Sequence, residues 1–193
     1  MKTLIKKVFS YTPHILFLIL ASISISNLRY SINFMKDIYI DSGLYSMYYF
    51  TICLSCMLFR GTFIFDFIKT FPKSCGNYAL VLGLVHFINF IYLDAMGDLL
   101  FSAKEIIGKT FLLLGFLAFL FMVWISISSN FFLKSKIHSI AKYAIYIGLL
   151  FAGIHYFKSQ KVPMLQEYTF LFISIFLLFV RSIFLIKDIV KKR

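Results

Sequence analysis

Apolar residues run in six long stretches, 12–29, 44–59, 77–93, 110–129, 137–157 and 163–186, separated by short segments in which most of the charged residues gather. Each stretch is of the length a helix needs to cross a hydrocarbon core of ~30 Å. The pattern predicts an all-α, polytopic membrane protein, a six-helix transmembrane bundle. Short connections and two tails are all that remain, too little for a soluble catalytic domain, so any chemistry is expected inside the bundle or on a partner. The first stretch follows Lys2, Lys6 and Lys7 and ends in Ala21-Ser22-Ile23-Ser24, like a signal peptide with a small-residue cleavage region. Five further stretches favour a retained signal anchor instead. No internal repeat, low-complexity segment or Pro/Gly-rich linker stands out, which predicts one membrane domain.

Composition agrees with the pattern. Of 193 residues, 61% are apolar, 20% aromatic and only 15% charged, which excludes an ordinary water-soluble globular domain. The net charge of +12 would suggest nucleic acid in a soluble protein, but here it encodes orientation. Lys2, Lys6, Lys7, Arg60, Lys69, Lys73, Lys134, Lys136, Lys142, Arg181, Lys187, Lys191, Lys192 and Arg193 fall in the amino tail, the 60–76 loop, the 130–142 segment and the carboxyl end, with only Asp66 and Asp188. The other connections hold Arg29, Lys36, Lys104, Lys109, Lys158 and Lys161, balanced by Asp37, Asp41, Asp94, Asp98, Glu105 and Glu167. The whole excess lies on one side, so both termini are expected in the cytoplasm, N-in/C-in.

Histidine is uncommon in apolar spans, and an intramembrane ionisable group marks a candidate site. His86 lies inside the third stretch and His155 near the end of the fifth, both in the half of the membrane away from the cytoplasm. Two neutral imidazoles at similar depth on neighbouring helices could fill the axial positions of a b-type heme. The competing reading is a pair of histidines that only hydrogen-bond between helices. His14 follows Thr12-Pro13, a helix-start signal, and is expected at the cytoplasmic interface. His138, beside Lys134 and Lys136, is read as solvated. Cys53-Leu54-Ser55-Cys56 has redox spacing but no redox context, so packing is the expectation, while Cys75 sits at a cytoplasmic edge where it stays reduced. Glu167 is read as an interfacial, solvated carboxylate, with a proton acceptor for quinol oxidation as the alternative. No zinc spacing, P-loop, Gly-x-Ser-x-Gly or paired-carboxylate hydrolase pattern occurs.

The order of residues resembles the ferric-reductase-like transmembrane domain superfamily, and within it the MsrQ (YedZ) family of heme-binding membrane subunits. The resemblance begins with Asp41-Ser42-Gly43, where the family has a Thr-Gly pair, and continues through Lys73-Ser74-Cys75-Gly76 and the His86 stretch ending in Tyr92-Leu93-Asp94. It goes on with Lys104-Glu105-Ile106-Ile107-Gly108-Lys109 and closes with Tyr146 and Ile154-His155-Tyr156-Phe157-Lys158. It covers roughly residues 41–160, which it marks as the heme-binding core. Residues 1–40 would then be the amino tail, first helix and outer loop, and 161–193 the sixth helix and basic tail.

The resemblance implies heme b held by His86 and His155, with FMN as a further cofactor and either the membrane quinone pool or a cytoplasmic flavin reductase as electron donor. It implies a periplasmic molybdopterin reductase subunit as partner, a role in methionine-sulfoxide repair, and the bacterial inner membrane as location. Where the family carries one more histidine, this chain has Lys142. His138, one helical turn earlier, is the candidate to supply that ligand. Membrane lipids are the other expected partner, and nucleic acid is not one. The alternatives are a ferric-chelate reductase and a heme-free membrane scaffold. The mixed-charge 94–109 connection is read as either a docking loop or an ordinary solvated loop.

Overall fold

The computed structural model describes residues 2–59, 62–94, 96–130 and 136–190; the side chains of 2–6, 125, 128–130, 136–143 and 187–190 lie outside the description. All regular structure among the described residues is helical: α1 (Lys2–Leu28), α2 (Phe34–Leu58), the short α3 (Phe65–Ile68), α4 (Phe71–Leu93), α5 (Leu99–Gly108), α6 (Thr110–Asn130), α7 (Lys136–Ser159) and α8 (Leu165–Val190). Three helices, over Lys7–Leu28, Phe71–Leu93 and Leu165–Ile186, are long and apolar enough to cross a membrane, and α5 with α6, bent by 109° between them, makes up to four. Outward-facing Leu18, Ile25, Phe172 and Phe179 give α1 and α8 apolar surfaces that water would not tolerate and lipid does.

Local chemistry sets the helix ends. The Asn33 side chain accepts the Lys36 N–H at 3.2 Å to start α2, with Asp37 in the first turn complementing the helix dipole. Pro72 sits in the first turn of α4, where no N–H is needed. Asp98 accepts the Leu100 and Phe101 N–H groups at 2.8 and 3.1 Å, which makes the expected loop a helix. Glu167, buried rather than solvated, reaches back from the first turn of α8 to accept the Met164 N–H at 2.8 Å, half of a capping box. The Thr12-Pro13 start signal is overridden, because α1 runs through Pro13. The proline leaves the Phe9 carbonyl without its usual i+4 donor, a loss membrane helices tolerate; Pro13 itself is fully buried, and its own carbonyl accepts the Tyr49 hydroxyl at 3.2 Å, which ties α1 to α2 at this point.

The chain divides into two compact units, Met1–Ala103 and Lys104–Arg193, a boundary that falls inside the 41–160 stretch. In the first, α2 packs along α4 in the antiparallel sense. The contacts between them pair Gly43 with His86, Ser46 with the Ala79 carbonyl at 2.7 Å, and Cys53 with the Pro72 carbonyl at 3.1 Å. α1 lies against both, antiparallel to α2, with Ser24 on Asp41 at 2.5 Å and His14 on Tyr78 at 2.6 Å. In the second unit α6 and α7 are antiparallel, with Gly148 against Phe121, and α8 returns along α7 with Ser174 against Gly153 and the Arg181 guanidinium 5.9 Å from the Tyr146 ring. Small residues at these crossings let the backbones approach, the usual device where lipid removes any hydrophobic drive between helices.

Candidate functional site

His86 stands near the end of α4, opposite the start of α2. Its Nδ1 lies 2.8 Å from the carbonyl oxygen of Tyr39, and its ring stacks on the Tyr39 ring at 4.4 Å and 4°. One helical turn after Tyr39 comes Gly43. A Cβ at that position would lie 2.6 Å from Nδ1 and 2.8 Å from Cε1 of His86, closer than real side chains come. The imidazole therefore rests in a notch cut by the missing side chain.

His155 repeats the arrangement in the other unit, near the end of α7 and opposite the start of α6. Its Nδ1 lies 2.7 Å from the carbonyl oxygen of Phe111, and the Phe111 ring is roughly parallel at 6.1 Å and 20°. Gly115 is again one turn further on, and a Cβ there would meet Nδ1 at 2.7 Å and both Cε1 and Cγ at 2.9 Å. Each unit thus contains one hairpin of long helices with an aromatic-x-x-x-Gly segment on the first and a histidine on the second. This is an internal repetition that the hydropathy pattern does not show.

The hydrogen bond decides the tautomer. A backbone carbonyl carries no proton to give, so the ring nitrogen beside it must donate, and in a neutral imidazole the lone pair then belongs to Nε2. Two identically prepared rings result, each with Nδ1–H anchored to a main chain that cannot titrate. Outer-shell anchoring of this kind is what metal-ligating histidines use. Sterics matter more than the bond itself: an interhelical hydrogen bond in a membrane averages about 0.6 kcal/mol, whereas forcing an extra methyl into such a contact costs roughly 1–3 kcal/mol.

The remaining candidates separate from this pair. His14 is exposed and bonded to the Tyr78 hydroxyl, with Tyr78 stacked on Phe17 at 4.4 Å. His138 and Lys142 lie outside the described side chains. Cys53, Cys56 and Cys75 are free thiols, and Cys53 packs against Gly76. Of the charges in the 94–109 connection, Asp98 caps α5 and Glu105 pairs with Lys109, so these groups are engaged within the chain. No cluster of three or more His, Cys, Asp or Glu suited to a metal ion occurs among the described residues.

Reading the sequence alone passes over Tyr39, Phe111 and Gly115, and takes Gly43 only as part of Asp41-Ser42-Gly43. The available signal is the recurrence of an aromatic residue four positions before a glycine, on the helix preceding each histidine helix. No family model matches the chain, and no curated protein or solved structure matches it.

Proposed function

We propose that the chain is a heme b electron-transfer subunit of the MsrQ kind, with His86 and His155 as the axial ligands of the iron. The observation that carries this reading is the repeated notch: two imidazoles, on different helices, each with Nδ1 held on a main-chain carbonyl by the same device. The donor set fits the group, since axial ligation asks for two unprotonated ring nitrogens and nothing else from the protein. When bound, the heme supplies a one-electron ferric/ferrous couple. The residues of the chain hold the ring planes and keep the proton on Nδ1. His138 is the proposed ligand of any second, inner heme, and FMN remains a proposed further cofactor.

The wider proposal is a six-span, N-in/C-in protein of the bacterial inner membrane. It takes electrons from quinol or a cytoplasmic flavin reductase and gives them to a periplasmic molybdopterin subunit that reduces methionine sulfoxide. Successive long helices alternate in direction within each unit, as a chain threading back and forth requires, and the basic excess of alternate connections supports the orientation.

The deciding experiment is a dithionite-reduced minus oxidised spectrum of the purified protein, with a pyridine-hemochrome count. A low-spin b-type α band that disappears in His86→Ala and in His155→Ala is the expected result. A colourless protein would replace this reading with the scaffold. A coloured protein whose deletion lowers ferric-chelate reduction, while methionine-sulfoxide repair continues, would replace it with the iron reductase.

A further inference from the structure

We infer that Gly43 and Gly115 are positioning residues that fix the tautomer and ring orientation of His86 and His155, and through them tune whatever metal the two imidazoles ligate. The inference deepens the heme reading and rests on it for its redox consequence. Its structural half stands on the chain alone.

An imidazole reaching a carbonyl in the first turns of a neighbouring helix meets an obstacle. The carbonyl of residue i points along the axis toward residue i+4, whose Cβ borders the approach. The Tyr39 carbonyl is flanked in this way by position 43 and the Phe111 carbonyl by position 115. A β-carbon at either place would occupy the space of the ring, at 2.6 Å and 2.7 Å from Nδ1. Glycine is the one residue that leaves the path open. The aromatic ring of the carbonyl's own residue then stacks on the imidazole, nearly parallel to it for Tyr39 at 4.4 Å and 4° and within 20° for Phe111 at 6.1 Å, so both translation and tilt are restrained.

The chemical consequence follows from the proton. With Nδ1–H held by a carbonyl, the ring gains basicity at Nε2, which favours the more highly charged ferric iron and lowers the potential of the couple. An alanine at 43 or 115 pushes the ring off its carbonyl. That loss weakens Nε2 as a donor, raises the midpoint potential and lowers heme affinity by about 10- to 100-fold, the usual range for loss of an outer-shell partner.

The test uses the full chain in detergent or nanodiscs. Gly43→Ala and Gly115→Ala are each expected to raise the midpoint potential and to shift the low-spin ferric g values, which report ring-plane orientation. Gly148→Ala is the control, because its Cβ would meet the Phe121 Cβ at 2.7 Å, a clash of equal severity with no histidine involved. It should lower thermal stability yet leave the potential and g values of the folded fraction unchanged. Should the notch variants fail to fold, nitrogen-15 histidine spectra of the unaltered chain, in the diamagnetic ferrous state or without heme, read the tautomer directly. His86→Gln and His155→Gln assign the signals. Protonated Nδ1 at both histidines supports the inference. Protonated Nε2 at either, or notch variants indistinguishable from the unaltered protein, overturns it. An unaltered protein that holds no heme refutes the functional proposal instead, and the nitrogen-15 result still decides the notch.

Discussion

Gly115 on α6 faces the imidazole of His155 on α7 so closely that a methyl group there would lie 2.7 Å from Nδ1, the same relation that Gly43 bears to His86 at 2.6 Å. Two such contacts in separate units of one chain give the histidines a shared chemistry that neither would reveal alone. Each ring is defined by a helix it does not belong to, which is why spacing within the histidine helices does not describe the site.

On the proposed heme reading, removing either ring should act on the iron and not on the fold at large. His86→Ala or His155→Ala should each abolish the low-spin spectrum, because one missing axial ligand leaves a five-coordinate iron. His14→Ala should leave it intact, since His14 is bonded to Tyr78 and not to either histidine or its carbonyl partner. Normal low-spin heme content in either of the first two variants would end the ligand assignment.

The helices themselves were legible from hydropathy, because each of the six apolar stretches lies almost wholly inside a long helix. Three features were not. Pro13 looks like a helix start by local rule, yet α1 continues through it, with the proline buried and its carbonyl bonded to the Tyr49 hydroxyl. The 94–109 segment looks like a loop because its charges are mixed, yet Asp98 spends its side chain on a cap and Glu105 pairs with Lys109 along the helix. The notches depend on an absent side chain meeting a ring from another helix, a tertiary contact with no hydropathy signature. A trace does remain in Tyr78-Ala79-Leu80-Val81-Leu82-Gly83-Leu84 and Tyr143-Ala144-Ile145-Tyr146-Ile147-Gly148-Leu149, matching segments on the two histidine helices. From their glycines to the histidines the second copy is longer by four residues, about one helical turn, so an ungapped comparison breaks down before the site is reached.

Tyr78 ties α4 to α1 through His14 at 2.6 Å. Tyr78→Phe removes the hydroxyl while keeping the ring stacked on Phe17, and should destabilise the protein by about 0.5–1.5 kcal/mol, the net range for one hydrogen bond. Thermal unfolding in detergent measures this. An unchanged heme spectrum is expected with it, and a lost spectrum would mean that His14 belongs to the site.

Topology can be read without any heme. Reporter fusions after Lys104 and after Lys136 should report the outer and the cytoplasmic side respectively, because the basic residues in alternate connections outnumber the acids on one side only. The reverse pattern would place both notches in the cytoplasmic half and remove a periplasmic acceptor from the proposal.

Glu167 separates a structural carboxylate from a proton-handling one. Its side chain accepts the Met164 N–H at 2.8 Å at the start of α8, a bond that a glutamine oxygen can replace and an alanine cannot. Glu167→Gln should keep stability within a few tenths of a kcal/mol, whereas Glu167→Ala should cost about 1 kcal/mol, the usual value of a helix cap. Quinol-dependent reduction should be equal in the unaltered protein and in Glu167→Gln, because capping needs an acceptor and no titrating proton. If Glu167→Gln were as stable as the unaltered protein but slow with quinol, the carboxylate would be moving protons, and its place at the head of α8 would mark the quinol site.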